Sequence, residues 1–350
     1  MGFKSYKSLG RQNIQNAGSK ISALEVVTTP LTINTLLVCT QYGVNCQRYN
    51  SAGILYFCGN GIVQTYYNNV ITTVIGNGTV GYSGDGSQAI NARIGVNKGI
   101  NFDSRGNIYI TDSTNHVIRK VDIVSGIITT IAGTSGISGN TGNGEQAISA
   151  LLNQPHSLIL DQNDNVYFSC YGSKIINRID TNGVLTNIAG NGSSGYTGNG
   201  GQALLATFAS PAQLFLNQST GCLYVADRFN NAIRKLDLNS GLITTVAGNG
   251  NNGSSGDGGS ATSALLSAPL NVELDRNGNI YIGEYQKVRK VDLNGIITTI
   301  AGTGTSGDTG DGGLPSNASF GQVYNIVFDL TGNLIITDFV NKKIRIVSGL

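Results

Sequence analysis

Few residues of this 350-residue chain are of a type and spacing that could support catalysis. The sequence contains two histidines, His116 and His156, and neither belongs to a His-x-x-x-His or His-Glu-x-x-His pattern that holds zinc. The sequence also has no Gly-x-Ser-x-Gly nucleophile turn. We therefore predict no catalytic residue, no metal ligand and no cofactor.

Five cysteines are present, and no two of them have Cys-x-x-Cys spacing: Cys39, Cys46, Cys58, Cys170 and Cys222. This pattern predicts neither a disulfide framework nor a zinc site. The N-terminus lacks the apolar segment of a signal peptide, and no apolar run reaches membrane-span length. We expect an intracellular or particle-associated protein without membrane insertion. Five Asn-x-Ser/Thr sequons lean towards export, but such matches arise by chance in a chain rich in Asn, Ser and Thr.

Charge and hydropathy narrow the function further. Charged residues make up 12% of the chain, and the net charge is +2. Nucleic-acid binding needs a basic stripe, so a nucleic-acid partner is not expected. Hydrophobic residues make up 40% and there are 49 glycines, which is enough apolar material for a large core.

Internal repeats decide the fold. One string recurs five times, as ITTVIG at Ile71–Gly76, ITTIAG at Ile128–Gly133, LTNIAG at Leu185–Gly190, ITTVAG at Ile243–Gly248 and ITTIAG at Ile297–Gly302. The starts of these strings lie 57, 57, 58 and 54 residues apart. Each period contains four short runs rich in Ile, Val, Tyr and Thr, with Gly and Ser turns between them. This pattern predicts four-stranded antiparallel blades of a β-propeller, with strands a to d in each blade.

Six blades are expected, and the last lacks its strand d at the C-terminus of the sequence. We predict that Ser22–Thr29 supplies this outer strand and that Thr35–Thr40 is strand a of blade one. An N-terminal strand that completes the last blade removes two open sheet edges. The expected organisation is a flexible tail over residues 1–20 and one propeller over residues 21–350.

The repeat text resembles the NHL-repeat family of β-propellers. The matching segments are the ITTIAG strand, SGDGG at Ser255–Gly259, the AxxAxL segment at Ala261–Leu266, GNIYI at Gly278–Ile282 and VRKVD at Val288–Asp292. The resemblance covers residues 22–350 and implies a six-bladed propeller. The family includes interaction modules, receptor domains, RNA-binding domains and a few lyases or hydrolases, so the resemblance does not select a function.

Charged pairs recur with the repeat. An Asp at the end of strand b is followed seven residues later by Arg, as Asp112/Arg119, Asp227/Arg234 and Asp338/Arg345. In blade three both are replaced, by Cys170 and Asn177. We predict a bidentate Asp–Arg pair across the b–c hairpin with a structural role.

Other repeated side chains also indicate structure. The d–a loops carry Asp or Asn at one position (Asp85, Asn143, Asn199, Asp257 and Asp311), which predicts a loop-capping residue more than a calcium ligand. Strand a ends in an Asp in four blades (Asp103, Asp161, Asp275 and Asp329), which predicts a turn former. Strand b carries a Tyr in five blades (Tyr56, Tyr109, Tyr167, Tyr224 and Tyr281), which predicts a core column.

The b–c turns differ most between repeats, and in a propeller they emerge at the same end as the d–a loops. They carry the candidate partner-binding residues His116, Tyr171, Arg228, Phe229, Tyr285 and Phe339. Aromatic residues and Arg dominate interface energies, so the leading prediction is a non-enzymatic scaffold that binds a protein. Two alternatives stay open. One is a structural subunit of a large assembly such as a virus particle, and the other is a metal-dependent lyase or hydrolase with a channel site near His156 and Glu273.

Overall fold

Six small antiparallel sheets form a six-bladed β-propeller in a computed structural model that describes residues 30–39 and 43–350. Apart from seven single-turn 3₁₀ helices, this part of the chain consists of strands, turns and loops. The predicted tail over residues 1–20 and the predicted strand Ser22–Thr29 lie outside the described residues.

Strands a to d of each blade follow one another from the channel outwards. In chain order they are β1 (Thr32–Val38); β2 (Cys46–Tyr49), β3 (Leu55–Cys58), β4 (Val63–Tyr67) and β5 (Val70–Ile75) of blade one; β6 (Ser87–Gln88), β7 (Asn97–Phe102), β8 (Ile108–Asp112), β9 (Val117–Val121) and β10 (Ile127–Ala132) of blade two; β11 (Pro155–Leu160), β12 (Val166–Cys170), β13 (Ile175–Ile179) and β14 (Leu185–Ala189) of blade three. They continue with β15 (Gly201–Gln202), β16 (Pro211–Asn217), β17 (Cys222–Asp227), β18 (Ala232–Asp237) and β19 (Leu242–Ala247) of blade four; β20 (Asn271–Leu274), β21 (Ile280–Gly283), β22 (Val288–Val291) and β23 (Ile297–Ala301) of blade five; β24 (Val323–Phe328), β25 (Leu334–Asp338) and β26 (Lys343–Ser348) of blade six. β1 is the outer strand of blade six, and the two-residue strands β6 and β15 pair with the outer edge of strand d in blades two and four.

The 3₁₀ turns belong to two kinds of connection. Five lie in the d–a loops, at Ala89–Asn91, Ala147–Ser149, Ala203–Leu205, Ala261–Ser263 and Pro315–Asn317, and two lie in the b–c turns, at Ser113–Asn115 and Arg228–Asn230. We call the end of the ring that carries the b–c turns and d–a loops the upper end. The end that carries the a–b and c–d turns is the lower end.

The ring is closed by an N-terminal strand, as predicted, but the strand is a different one. β1 pairs with β26 from Thr32 opposite Ser348 to Val38 opposite Lys343, and so forms the outer strand of blade six. The assignment of Thr35–Thr40 to strand a of blade one is therefore wrong. That place belongs to β2, a four-residue strand of sequence CQRY with too few apolar residues to stand out in the sequence.

Buried tyrosines connect the strands to the lower turns. The five strand-b tyrosines are 2–8% exposed, which confirms the predicted core column. In three blades the Tyr hydroxyl donates to the Asp at the end of strand a, over 3.3 Å each time. That Asp also accepts the backbone N–H groups of its own turn: Asp103 accepts from Arg105 at 3.1 Å and from Asn107 at 2.8 Å. The turn-forming role of these residues is confirmed.

The buried arginines pair with the d–a loops, so the predicted Asp–Arg hairpin pair is wrong in blades two and six. Arg119 is fully buried and bonds to Asp85 and to the carbonyl oxygen of Arg93. Arg345 bonds to Asp311 in the same way, at 3.2 and 2.7 Å. The strand-end acid does another job: Asp112 accepts the backbone N–H of Gly95 and so holds the start of strand a.

Blades three to five show how this arrangement varies. In blade four the loop residue is Asn199, and Asp227 lies 3.7 Å from Arg234. In blade five Arg289 contacts both Glu284, at 3.1 Å, and Asp257, at 2.6 Å. In blade three neither partner is charged, because Asn143 and Asn177 take the two places. In blade three the sequence thus lacks the strand-end Asp, the Arg and also the loop Asp.

The loop residue has a second bond that Asn can make as well as Asp. Its side-chain oxygen accepts a backbone N–H of strand d, from Thr130 to Asp85 at 3.1 Å and from Thr245 to Asn199 at 2.6 Å. This bond anchors the loop, in agreement with the predicted capping role. Within the described ranges no three His, Cys, Asp or Glu side chains converge as metal ligands.

One disulfide joins the first two strands of blade one. Cys46 and Cys58 are directly opposite each other in β2 and β3, with Cα atoms 5.2 Å apart, and their sulfurs are bonded. The expectation that the cysteines form no disulfide is wrong for this pair, because the cross-strand register places them together. Cys39, Cys170 and Cys222 are buried and free.

Candidate partner-binding site at the upper channel mouth

The first residue of the b–c turn occupies an equivalent place in all six blades, just after the strand-end acid or its replacement. The six residues are Asn60, Ser113, Tyr171, Arg228, Tyr285 and Phe339. A second ring of residues lies at the start of strand a. Each member is three positions before the strand-a residue that pairs with the tyrosine position of strand b. These residues are Asn45, Lys98, His156, Ala212, Leu270 and Tyr324. Both rings are at the upper end, around the mouth of the channel.

One group of side chains at the mouth is built around His156, and we call it the His156 group. The His156 ring stacks on Tyr171 with centroids 5.5 Å apart, and Tyr171 meets Phe229 edge-on at 6.3 Å. Arg228 donates to the Tyr171 hydroxyl at 3.3 Å and lies 4.9 Å from the Phe229 ring centroid. Blades three and four thus contribute one continuous surface of aromatic and cationic side chains.

A second group is built around Lys98, and we call it the Lys98 group. The Lys98 ammonium donates to the Tyr324 hydroxyl at 2.5 Å and to the Asn45 side-chain oxygen at 3.2 Å. Tyr324 stacks on Phe339 with centroids 4.9 Å apart. Residues from blades one, two and six therefore meet across the mouth.

The structure brings four of the six predicted residues into these groups: Tyr171, Arg228 and Phe229 in one and Phe339 in the other. Tyr285 is 43% exposed on the same end, and no aromatic or hydrogen-bond contact of its side chain is found within the described ranges. His116 is a turn residue with φ 61°, and its Nδ1 accepts the backbone N–H of Gln154 at 3.1 Å. Its side chain thus bonds to the following loop and joins neither group.

Lys98 and Tyr324 were missed by sequence reasoning. They open strand a, where each repeat carries a different residue, and their position relative to the mouth depends on the register of strand a on strand b. Aligning the six strand starts would have shown a lysine and a tyrosine in one ring. It would not have shown that Lys98 reaches across to blade six.

The strand-end acids of the upper end are turned inwards. Burial raises the pKa of both Asp112 and Asp227 to about 6, against the lowering effect of the amide side chains and backbone N–H groups bonded to them. Within residues 30–39 and 43–350 no carboxylate lies within 4 Å of the charged nitrogens of Lys98 or Arg228. Burial, together with the charges of these two residues, lowers the pKa of His156 to about 3, so its ring is neutral at pH 7.

Below the mouth the channel is narrow. A cavity of about 20 Å³ lies between the strand-a segments, with Ser157, Gln213 and Asn325 among its lining residues. This volume is about that of one water molecule. Nearer the lower end, Arg48 of blade one contacts Glu273 of blade five at 3.3 Å, and burial raises the pKa of Glu273 to about 7.

The six blades and their repeated strings define the class of protein, and comparison with known sequences agrees. A profile of the teneurin NHL domain matches residues 78–141 and 247–307. NHL repeat-containing protein 2 of Gallus gallus is 28% identical over 272 residues, which is 69% of this chain and 37% of that protein. The chain is a six-bladed β-propeller whose repeats are similar to those of NHL-repeat proteins.

Another similar protein is SUPPRESSOR OF QUENCHING 1, chloroplastic, of Arabidopsis thaliana, which is 28% identical over 262 residues. The match covers 71% of this chain and 24% of the plant protein. The matches cover 24% of the plant protein and 37% of NHL repeat-containing protein 2, so this chain spans at most little more than a third of the length of either relative.

Solved structures share the fold at low sequence identity. An auxiliary nutrient binding protein from Bacteroides ovatus has a TM-score of 0.67 at 17% identity, covering 91% of this chain and 76% of that chain. Virginiamycin B lyase from Staphylococcus aureus has a TM-score of 0.53 at 15% identity, covering 88% of this chain and 82% of the lyase. Binding proteins and enzymes thus both occur on this architecture. No helix in the described part of the chain has the length and hydropathy of a membrane span.

Proposed function

We propose that this chain is a non-enzymatic propeller scaffold that binds a protein partner through its upper end. The observation that carries the proposal is the arc of Tyr171, Arg228, Tyr285 and Phe339 at one repeated turn position. Phe229 and Tyr285 expose 56% and 43% of their surface. Exposed aromatic side chains beside an arginine on a rigid scaffold are typical of the centre of a protein interface.

The side chains of the channel give less support to the other two candidate functions. A metal-dependent lyase or hydrolase would use His156 and Glu273, but these lie at different levels of strand a, and Glu273 is paired with Arg48. A subunit of a large assembly such as a virus particle is one form of protein binding, and the same surface would serve it.

The test uses paired variants at the two ends of the ring. Phe229→Ala with Tyr285→Ala removes the exposed aromatics of the upper end, and Val124→Ala with Leu293→Ala is the matched control at the lower end, where these residues are 92% and 74% exposed. The native protein is cross-linked in its own source, and the partner found is purified and titrated against each variant. We expect at least about tenfold weaker binding for the upper pair and unchanged binding for the lower pair.

Two outcomes would contradict the proposal. Equal affinity of the wild type and the upper pair would move the interface away from this end of the ring. A chain that stays a monomer of 36.5 kDa in its native source and turns over a small molecule would show an enzyme.

A further inference from the structure

The channel mouth has one large, partly apolar side and one small, polar side. Blades three to six place three aromatic rings and an arginine at the first b–c turn position, whereas blades one and two place Asn60 and Ser113 there. Asn45 donates to Asn60 at 3.1 Å and accepts from Lys98, so the small side is a polar network that ends in an ammonium group. A ligand that fits both sides must itself carry apolar and polar groups.

The donor groups at the mouth would be satisfied by a negatively charged hydrogen-bond acceptor. Lys98 bonds to Tyr324 and Arg228 bonds to Tyr171, and both charges are near enough to His156 to lower its pKa, so two positive charges share the mouth. The His156 Nδ1 and the Arg228 Nε are buried and have no hydrogen-bond partner within the described ranges. Buried polar groups without partners are rare in native proteins, and a bound group often explains them.

Acids of the protein itself do not meet this need. The strand-end carboxylates Asp112, Asp227 and Asp338 are fully buried and accept from backbone N–H groups. Glu284 is turned towards Arg289 and Ser254. The positive charge at the mouth is therefore available to a partner.

The depth of the mouth limits what can enter. The cavity beneath it has room for about one water molecule, so a ligand at the mouth can pass no more than a small group, such as the end of a side chain, into the channel. Two lone cations also make a poor track for a phosphate backbone, which binds through many phosphate contacts.

We propose that the mouth receives the carboxylate of an acidic peptide segment of the partner protein, with Lys98 and Arg228 contacting the carboxylate and Tyr171 and Phe229 packing on a neighbouring apolar side chain. This inference rests on the proposed function, because it names the chemistry of the segment that the upper end binds.

Immobilised decapeptides in which Asp or Glu alternates with Phe, Tyr or Leu provide the probe, with a matched set that has Asn or Gln in place of every acid. We expect the acidic set to bind and the amide set not to bind. The affinity of the best acidic peptide, measured by fluorescence anisotropy, should fall at least about tenfold in Lys98→Met and in Arg228→Gln. Lys98→Arg keeps the charge and should keep binding within about threefold.

The control is Lys290→Met at the lower end, where the ammonium lies 5.6 Å from the Tyr281 ring centroid and so has a similar aromatic neighbour. Its affinity for the peptide should equal that of the wild type. A thermal melt of every variant separates lost binding from lost folding.

Equal binding of the acidic and amide sets would overturn the inference, as would unchanged affinity in Lys98→Met and Arg228→Gln. Binding of a decauridylate that depends on Lys98, with no peptide binding, would assign the mouth to single-stranded nucleic acid instead. If the natural partner is lost from the Phe229/Tyr285 double variant but bound normally by the Lys98 and Arg228 variants, the inference fails and the proposed function stands.

Discussion

Both ends of the ring are built from the same repeats, but the turn residues are alike at the lower end and differ from blade to blade at the upper end. At the lower end, four a–b turns use one arrangement, in which an Asp accepts the N–H groups of its turn and the side-chain amide of an Asn. At the upper end the strand-end acid recurs in four blades, but the residue after it changes from Ser113 to Arg228, Tyr285 and Phe339. Side chains that repeat within the chain hold the fold, whereas side chains that differ at one repeated position are free to serve a partner.

The largest loss of stability is expected in blade four, where Asp227 is the carboxylate paired with Arg234. Asp227→Asn should lower the free energy of unfolding by about 3 kcal/mol, because Arg234 is fully buried and would keep no carboxylate beside it. Asp112→Asn should cost only about 1 kcal/mol, because Arg119 keeps Asp85. Urea denaturation of both variants measures the difference.

A rescue sharpens this prediction. Asn199→Asp places a carboxylate in blade four where Asp85 stands in blade two, so the Asn199→Asp/Asp227→Asn double variant should recover most of the loss. Equal costs for Asp112→Asn and Asp227→Asn, with no rescue, would show that the acids act only by holding backbone N–H groups.

Blade one has Gly59 in place of the strand-end acid, and the disulfide lies one residue before it. Reduction should lower the stability of the wild type by about 3 kcal/mol, as expected for a short closed loop. The reductant should have no effect on the Cys46→Ser/Cys58→Ser double variant. Thermal melts with and without reductant measure this, and five alkylatable thiols in the unreduced, denatured protein would show that the bond is absent.

The comparison of the two ends predicts unequal losses of stability for two single changes. Asp161→Ala at the lower end should cost about 2 kcal/mol, because the N–H groups of Asn163 and Asn165 lose their acceptor. Phe229→Ala at the upper end should cost about 0.5 kcal/mol or less, since the ring is 56% exposed. Urea denaturation of both proteins is the measurement. A larger loss for Phe229→Ala would make that ring part of the core.

The last effect depends on pH. Burial raises the pKa of Glu273 to about 7, so between pH 4.5 and pH 7 the folded chain holds a proton that the unfolded chain has lost. The free energy of unfolding therefore falls as pH rises through this window, by up to about 1 kcal/mol per pH unit from this group. Glu273→Gln should flatten the curve there.

Urea denaturation at each pH measures this slope, with the exposed Glu145→Gln as the control. Parallel curves for wild type and Glu273→Gln would show that the carboxyl is ionised throughout the window.

Much of the fold followed from the sequence because the strand text repeats. The five ITTIAG strings and the strand text of residues 324–348 predicted six blades, and the five strand-b tyrosines predicted the buried column. The closing strand was misplaced because β2 has few apolar residues, so β1 stood out in its place as strand a of blade one. The pairing of β1 with Lys343–Ser348 identifies it as the outer strand of blade six. The disulfide was missed because it depends on which residues of β2 and β3 face each other.

The buried arginines show a limit of reading by spacing. The joint presence of Asp and Arg seven residues apart suggested a direct pair, but Arg119 binds the loop residue Asp85, 34 residues earlier. The same Asp or Asn column was visible in the sequence and could have been compared with the Arg column. Four mouth residues were predicted from the variable turns, whereas Lys98 and Tyr324 required three-dimensional register.

The pairing of β1 with β26 sets an order for synthesis. Strands a to d of blades one to five are contiguous in the chain and can form as they leave the ribosome, but blade six cannot be completed until Ser348 has emerged. Until then β1 has no partner strand, and the sheet edges on both sides of the gap are open. Open sheet edges can pair with strands of other chains. The propeller therefore passes through an open arc during synthesis, and β26 decides whether that arc becomes a ring or aggregates.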